Sequence, residues 1–146
     1  MGHKVQFAGV LLKLEGDWRD ITDTLPAGTP PTLALEDGIG ALQFTVGHYQ
    51  SGETPGIGLK ALERLLYHFE DAQNLERETE ASAFRTGLCF GISCEYNPPT
   101  GFIRVWYVTD GKNIAFVTYT SEDDRSQAFA IELKQASSIA TSVEFD

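Results

Sequence analysis

The chain has 146 residues, 42% of them hydrophobic and 11% aromatic, which suits one ordinary globular core and excludes a disordered chain. Its 11 basic residues against 21 acidic ones leave a net charge of −10, which repels phosphate backbones and anionic lipid, so nucleic acid and membrane surfaces are poor partners and a basic protein a better one. No apolar run reaches the roughly 18 residues a membrane span needs, and Lys13 and Glu15 follow Val10-Leu11-Leu12 too soon for a secretory signal, so a cytosolic setting is expected.

Val5 to Leu14 is rich in apolar residues and reads as a first strand, broken by Gly16-Asp17-Trp18-Arg19-Asp20. Ile21 to Leu25 reads as a short turn or strand, and Pro26-Ala27-Gly28-Thr29-Pro30-Pro31 as a loop, because its prolines lack backbone donors. Thr32 to Leu35 is the next predicted strand, and Asp37-Gly38 turns it back. Ala41 to Tyr49 follows, with Leu42, Phe44, Val46 and His48 on one face. Ser51 to Gly58 reads as a loop. Leu59 to Asn74 reads as a helix, because Leu62, Leu65, Leu66 and Phe69 fall at i, i+3, i+4 and i+7.

The second half reads as strands at Ala81 to Arg85, Leu88 to Tyr96, Phe102 to Thr109 and Ile114 to Thr120. Asn97-Pro98-Pro99-Thr100-Gly101 and Asp110-Gly111-Lys112-Asn113 are tight turns, so the last three strands form an antiparallel meander. Ser121 reads as the cap of a final helix, with Asp124 completing a capping box and Glu122, Asp123 and Asp124 at the positive end of its dipole. Phe129, Leu133, Ala136, Ala140 and Val143 trace its buried stripe, and Val143-Glu144-Phe145 is expected to pack back on the sheet.

A meander without bulges places Arg104 between Cys94 and Tyr119. One face then carries Phe90, Ile92, Cys94, Arg104, Trp106, Val108, Val117 and Tyr119, and the other Gly91, Ser93, Ile103, Val105, Tyr107, Ile114 and Phe116. Both faces are mostly apolar and both need cover. The expected fold is therefore α+β: a mainly antiparallel sheet of about six to seven strands with helices packed on it, one domain over residues 1–146.

Arg104 is the charged exception on its face. It reads either as a packed stem with a wet head or as the rim of a binding cleft with Trp106 and Tyr119, and Glu95 is an available carboxylate partner. Trp18 either plugs an edge of the core or stands exposed as an interface anchor, and His48, which ends the apolar face of its strand, reads either as a core-edge residue or as a further binding residue. Cys89 and Cys94 sit about 16 Å apart in one strand and on opposite faces, so they cannot bridge each other and read as buried free thiols of a reducing compartment.

Catalytic and metal-binding patterns are missing. Gly38-Ile39-Gly40 lacks a third glycine, and Gly56-Ile57-Gly58 reads as a helix entry rather than an anion cradle. Asp17, Asp20 and Asp23 recur every third residue without the glycine and distal glutamate of a calcium loop. His3, His48 and His68 show no zinc spacing with the cysteines. No metal, cofactor or catalytic residue is expected.

Two stretches carry a resemblance. Arg104-Val105-Trp106-Tyr107-Val108-Thr109-Asp110-Gly111 runs on to Tyr119, with an acidic helix and Ser142-Val143-Glu144-Phe145 after it. Gly16-Asp17-Trp18 precedes Ile21-Thr22-Asp23. In these the chain resembles small bacterial proteins of the PsbP-like α/β/α sandwich superfamily. The resemblance implies a first hairpin, a helix, a meander and a C-terminal helix in that order. It also implies a binding role, since such proteins include photosystem assembly factors, a Ran-binding import factor and partners of secreted effectors. It brings no catalytic residue, and fold alone does not fix function. The expected function is a non-enzymatic protein-binding module, such as an immunity protein or effector partner. The alternative is a small-ligand-binding protein or enzyme with a cleft near Arg104, Trp106 and Tyr119. The oligomeric state is left open.

Overall fold

The computed structural model describes residues 3–48, 56–77 and 79–145. In chain order these form β1 (His3–Phe7), β2 (Val10–Leu14), β3 (Arg19–Asp20), a 3₁₀ turn (Thr22–Thr24), β4 (Thr32–Ala34) and β5 (Gly40–Gly47). Then come α1 (Leu59–Gln73), β6 (Ser82–Thr86), β7 (Cys89–Tyr96), β8 (Phe102–Thr109), β9 (Ile114–Ser121) and α2 (Gln127–Ala140). One seven-stranded sheet has the order β3-β4-β5-β9-β8-β7-β6, every pair antiparallel, and β1 and β2 form a separate hairpin.

The sheet is a middle layer. One face packs Trp106, Val117, Tyr119, Leu42 and Phe44 against the β1–β2 hairpin and against Phe129, Ala136 and Ile139 of α2. The other packs Ile92, Cys94, Tyr96, Val105 and Tyr107 against Leu62 and Leu66 of α1. The expected sandwich is therefore the observed one, and a hairpin joins α2 in the outer layer.

The single strand expected over Val5 to Leu14 is instead this hairpin. Ala8 (φ 56°) and Gly9 (φ 88°) take the left-handed conformations of a type I′ turn. Ala tolerates that conformation poorly, so the dipeptide carries little turn signal. Folding back buries Phe7, Val10, Leu12 and Leu14 together. Leu11 and Glu144 exchange two main-chain hydrogen bonds of 2.9 Å, so the C-terminal segment docks on the hairpin rather than on the main sheet.

β5 ends at Gly47, and the expected end at Tyr49 lies outside the described residues, as do residues 51–55 of the Ser51-to-Gly58 loop. α1 closes on Asn74 in the left-handed conformation, and the Leu75 amide donates to the Glu70 carbonyl at 2.9 Å. Of its stripe, Leu62 and Leu66 are fully buried, and Phe69 lies against the rings of Tyr96 and Phe116. Leu65 is 37% exposed.

The largest correction is in the meander register. Arg104 pairs with Glu95, and Cys94 with Val105, one residue away from the expected alignment, while the β8–β9 register is as expected. The Gly101 amide donates to the Pro98 carbonyl at 3.0 Å, closing a four-residue turn over 98–101 where a five-residue one over 97–101 was assumed. A one-residue slip exchanges the faces of a whole strand. Phe90, Ile92 and Cys94 therefore face α1, and Gly91, Ser93 and Glu95 share the Arg104 face.

The final helix also starts later than expected. Ser126 caps α2, its Oγ accepting from the Phe129 amide at 3.0 Å and donating to Asp123 Oδ2 at 2.5 Å. Ser121 remains in β9 and donates to the Asp123 carbonyl, so the acidic run precedes the helix instead of forming its first turn.

The β8–β9 turn is closed by Asp110. Its Oδ1 accepts from the amides of Lys112 (3.0 Å) and Asn113 (2.8 Å), and its Oδ2 from Asn113 Nδ2 (3.1 Å). Partial burial alone would raise the carboxyl's pKa, but these donors outweigh it and hold the group below its ordinary value of 3.8. A depressed carboxyl adds stability above its unfolded pKa and loses it as pH falls through the lower folded value. Urea midpoints of Asp110→Asn and the parent chain should therefore differ at pH 7 and converge as pH falls below about 3.8.

Candidate functional site

The structure does not gather the five expected binding residues. Arg104 and Trp106 are neighbours, with the guanidinium carbon 5.3 Å from the indole centroid. Arg104 Nε donates to Ser93 Oγ at 2.9 Å and Nη1 to Glu95 Oε2 at 3.0 Å, so its head is held against β7 by two neighbours on the same face. Tyr119 stands opposite Arg104 across the strands. Trp106 and Tyr119 are fully buried, so neither ring is open to a ligand. The Trp106 indole N–H has no hydrogen-bond partner among the described residues.

Trp18 takes the first of its two expected roles. It is 4% exposed, and its Nε1 donates to Gln135 Oε1 at 2.9 Å, which fastens the segment before β3 to α2. His48 is exposed just beyond β5, its ring edge-on to Phe145 at 6.4 Å. It sits beside the β1–β2 turn and not with the other four.

Cys89 and Cys94 are buried, and burial, reinforced by Asp110 and Glu144, pushes the Cys89 thiol up and keeps it protonated. Among the described residues no cluster of three or more His, Cys, Asp or Glu is placed to hold a metal ion.

A different surface has the form of a binding site. The two edges of the sheet are unlike. β3 is two residues long, charged and exposed, and Arg19 pairs with Glu36 at 3.4 Å, so that edge is blunted. β6 is five residues long, and no described strand pairs with its outer side. In an antiparallel ladder alternate residues turn N–H and C=O outward, so β6 presents unpaired donors and acceptors to solvent.

α1 overhangs this edge. Leu59, Glu63 and Tyr67, spaced i, i+4 and i+8, line one side of the gap, and Ala81 and Ala83 line the other. Two connected hollows result. One of about 520 Å³ is lined by Leu59, Ala83, Phe84, Arg85, Phe90 and Gly91. One of about 250 Å³ is lined by Leu59, Glu63, Tyr67, Arg77, Glu80, Ala81, Ala83 and Ile92, and the two share Leu59 and Ala83. Leu59 is 41%, Tyr67 58% and Leu88, in the β6–β7 turn, 92% exposed. Two large side chains of the lining, Leu59 and Tyr67, are thus open to water in one groove, as at surfaces that take a partner.

The walls of this groove are firm. The Tyr96 hydroxyl and Arg77 Nε both meet Glu70 Oε2 at 2.5 Å, which ties the end of α1 to β7. Arg77 also lies over the Tyr67 ring at 4.8 Å. Burial, and then the Glu70 carboxylate, pushes the Tyr96 hydroxyl far above its ordinary pKa, so it stays a donor at any physiological pH. At the opposite, loop end of the sheet a separate hollow of about 430 Å³ lies between Ile39, Phe102 and Glu122, without an open strand edge.

The sequence reading missed the groove. Its one visible signal was Leu59, Glu63 and Tyr67 lying off the buried stripe of α1 with two large apolar members.

No protein-family profile and no curated protein matches the sequence. Among solved structures, the cyanobacterial PsbP (CyanoP) from Synechocystis sp. PCC 6803, determined in solution, is similar with a TM-score of 0.62 at 14% identity, over 100% of this chain and 92% of that one. The chain therefore has the PsbP-like fold, an antiparallel sheet clad by helices on its two faces.

Proposed function

We propose that this chain is a non-enzymatic protein-binding module that takes an extended segment of a partner along the outer edge of β6, beneath α1. The observation that carries the reading is the groove itself: an unpaired five-residue edge roofed by exposed Leu59 and Tyr67. A segment laid there gains main-chain hydrogen bonds from β6 and buries alternate side chains against α1, the mode known as strand addition. The net charge of −10 supports a partner of opposite overall charge, by speeding encounter more than by adding contacts. The free buried thiols support a reducing, cytosolic setting, and an immunity protein or effector partner is a role of this kind.

A fluorescein-labelled octapeptide of alternating threonine and leucine is the first probe. Fluorescence anisotropy should show saturable binding, weakened about tenfold or more by Leu59→Glu, roughly 1.4 kcal/mol. Leu59 is the first residue of α1, where a carboxylate suits the helix dipole, so the variant keeps its fold. Equal binding by parent and variant would remove the groove as the site.

A further inference from the structure

The groove is electrically polar from end to end. Ala81, Ala83 and Arg85 alternate along the chain and so face α1 together. At the Arg85 end the guanidinium lies over the Phe90 ring at 5.6 Å and meets no carboxylate among the described residues. At the other end Glu63 and Glu80 line the smaller hollow, and neither forms an ion pair among the described residues. Arg77, which lines the same hollow, is already held by Glu70. Between the two ends the lining is Leu59 and Ala83.

We infer that the groove reads the order of charges in its partner: an acidic residue, then an apolar one, then a basic one, at positions i, i+2 and i+4 of the docked strand. This rests on the strand-addition reading above. Alternate residues of a strand are about 6.7 Å apart on one face, so three consecutive same-face positions span the distance from Arg85 to Ala81. The direction follows from the pairing. Every pair in the sheet is antiparallel, the slightly more stable arrangement, and an antiparallel newcomer begins opposite Arg85 and ends opposite Ala81. The acid therefore comes first in the partner sequence. The apolar residue enters at Leu59, and the base ends between Glu63 and Glu80.

Three labelled peptides of equal length, acetylated and amidated to remove terminal charge, test this. Their central five residues are Glu-Thr-Leu-Thr-Lys, Lys-Thr-Leu-Thr-Glu and Gln-Thr-Leu-Thr-Gln. The acid-first peptide should bind about tenfold tighter than the base-first one, with the neutral peptide between them. The gap should shrink in Arg85→Gln and in 0.5 M salt. Equal binding of all three by the parent chain, or tighter binding of the base-first peptide, overturns the charge order while leaving strand addition in place. Failure of all three to bind overturns both.

Discussion

Replacing Glu132 with alanine should lower stability by about 3 kcal/mol, and the melting temperature by about 6–12 °C. Glu132 is only 3% exposed on α2. Its Oε2 accepts from the Ile39 amide at 3.0 Å, and its Oε1 from the Gly40 amide at 2.8 Å and the Tyr119 hydroxyl at 3.2 Å. One carboxylate thus joins α2, the β4–β5 turn and the central strand β9. Truncation leaves three donors at a buried or half-buried site, and each orphan costs roughly 1–3 kcal/mol less whatever water recovers. Glu132→Gln keeps one acceptor oxygen for Gly40 and Tyr119 but turns an NH₂ toward the Ile39 amide. It should lose about half as much. Differential scanning calorimetry on the three chains checks the ranking. Equal melting temperatures would mean that the turn stands without α2.

Gly91→Ala should cost a comparable amount, about 3 kcal/mol, although it adds one methyl group. A Cβ at Gly91 would fall inside contact distance of the Tyr107 main-chain oxygen and against the Phe84 ring. The Phe84 ring occupies the space over β7 that a side chain would need. Moving the ring is cheap, whereas moving the Tyr107 carbonyl means displacing β8. Phe84→Ala added to Gly91→Ala should therefore fail to restore stability, and urea midpoints of the single and double variants decide this. Full rescue by the double variant would place the obstruction in the ring alone. Because β6 pairs with β7 through Phe84 and Gly91, the same substitution should also disturb the groove.

Much of this fold was legible in residue patterns. α1 was readable because its apolar stripe repeats at helical spacing, and β8 because its run is bounded by two strong turns. The order of elements and both clad faces followed from a meander too apolar to leave either side wet. What escaped detection depended on conformations that residue type signals weakly. The Ala8-Gly9 turn lacks an asparagine or aspartate at its first position. The Pro98–Gly101 turn could be counted as four residues or five, and that choice decides which face of β7 is which. Glu132 did carry a clue. It sits in the buried stripe of α2 with Phe129, Ala136 and Ile139, where a charge demands partners.

The candidate site was far less legible than the fold. Trp18, Trp106 and Tyr119 attracted notice as aromatics, but large aromatic side chains serve the core more often than a surface, and all three are buried. Arg104 found the Glu95 partner that its sequence neighbourhood offered, and the pair holds its head against β7. The α1–β6 groove depends on β6 being the last strand of the sheet and on α1 lying beside it. Neither is a property of the local sequence.

The most direct test of the central claim is amide hydrogen exchange followed by two-dimensional NMR, with and without saturating threonine–leucine octapeptide. A docked strand should slow the outward-facing amides of Ser82–Thr86 and shift the resonances of Leu59, Glu63 and Tyr67. Unchanged exchange along β6 under saturating peptide, or perturbations confined to the loop end around Phe102 and Glu122, would contradict the account.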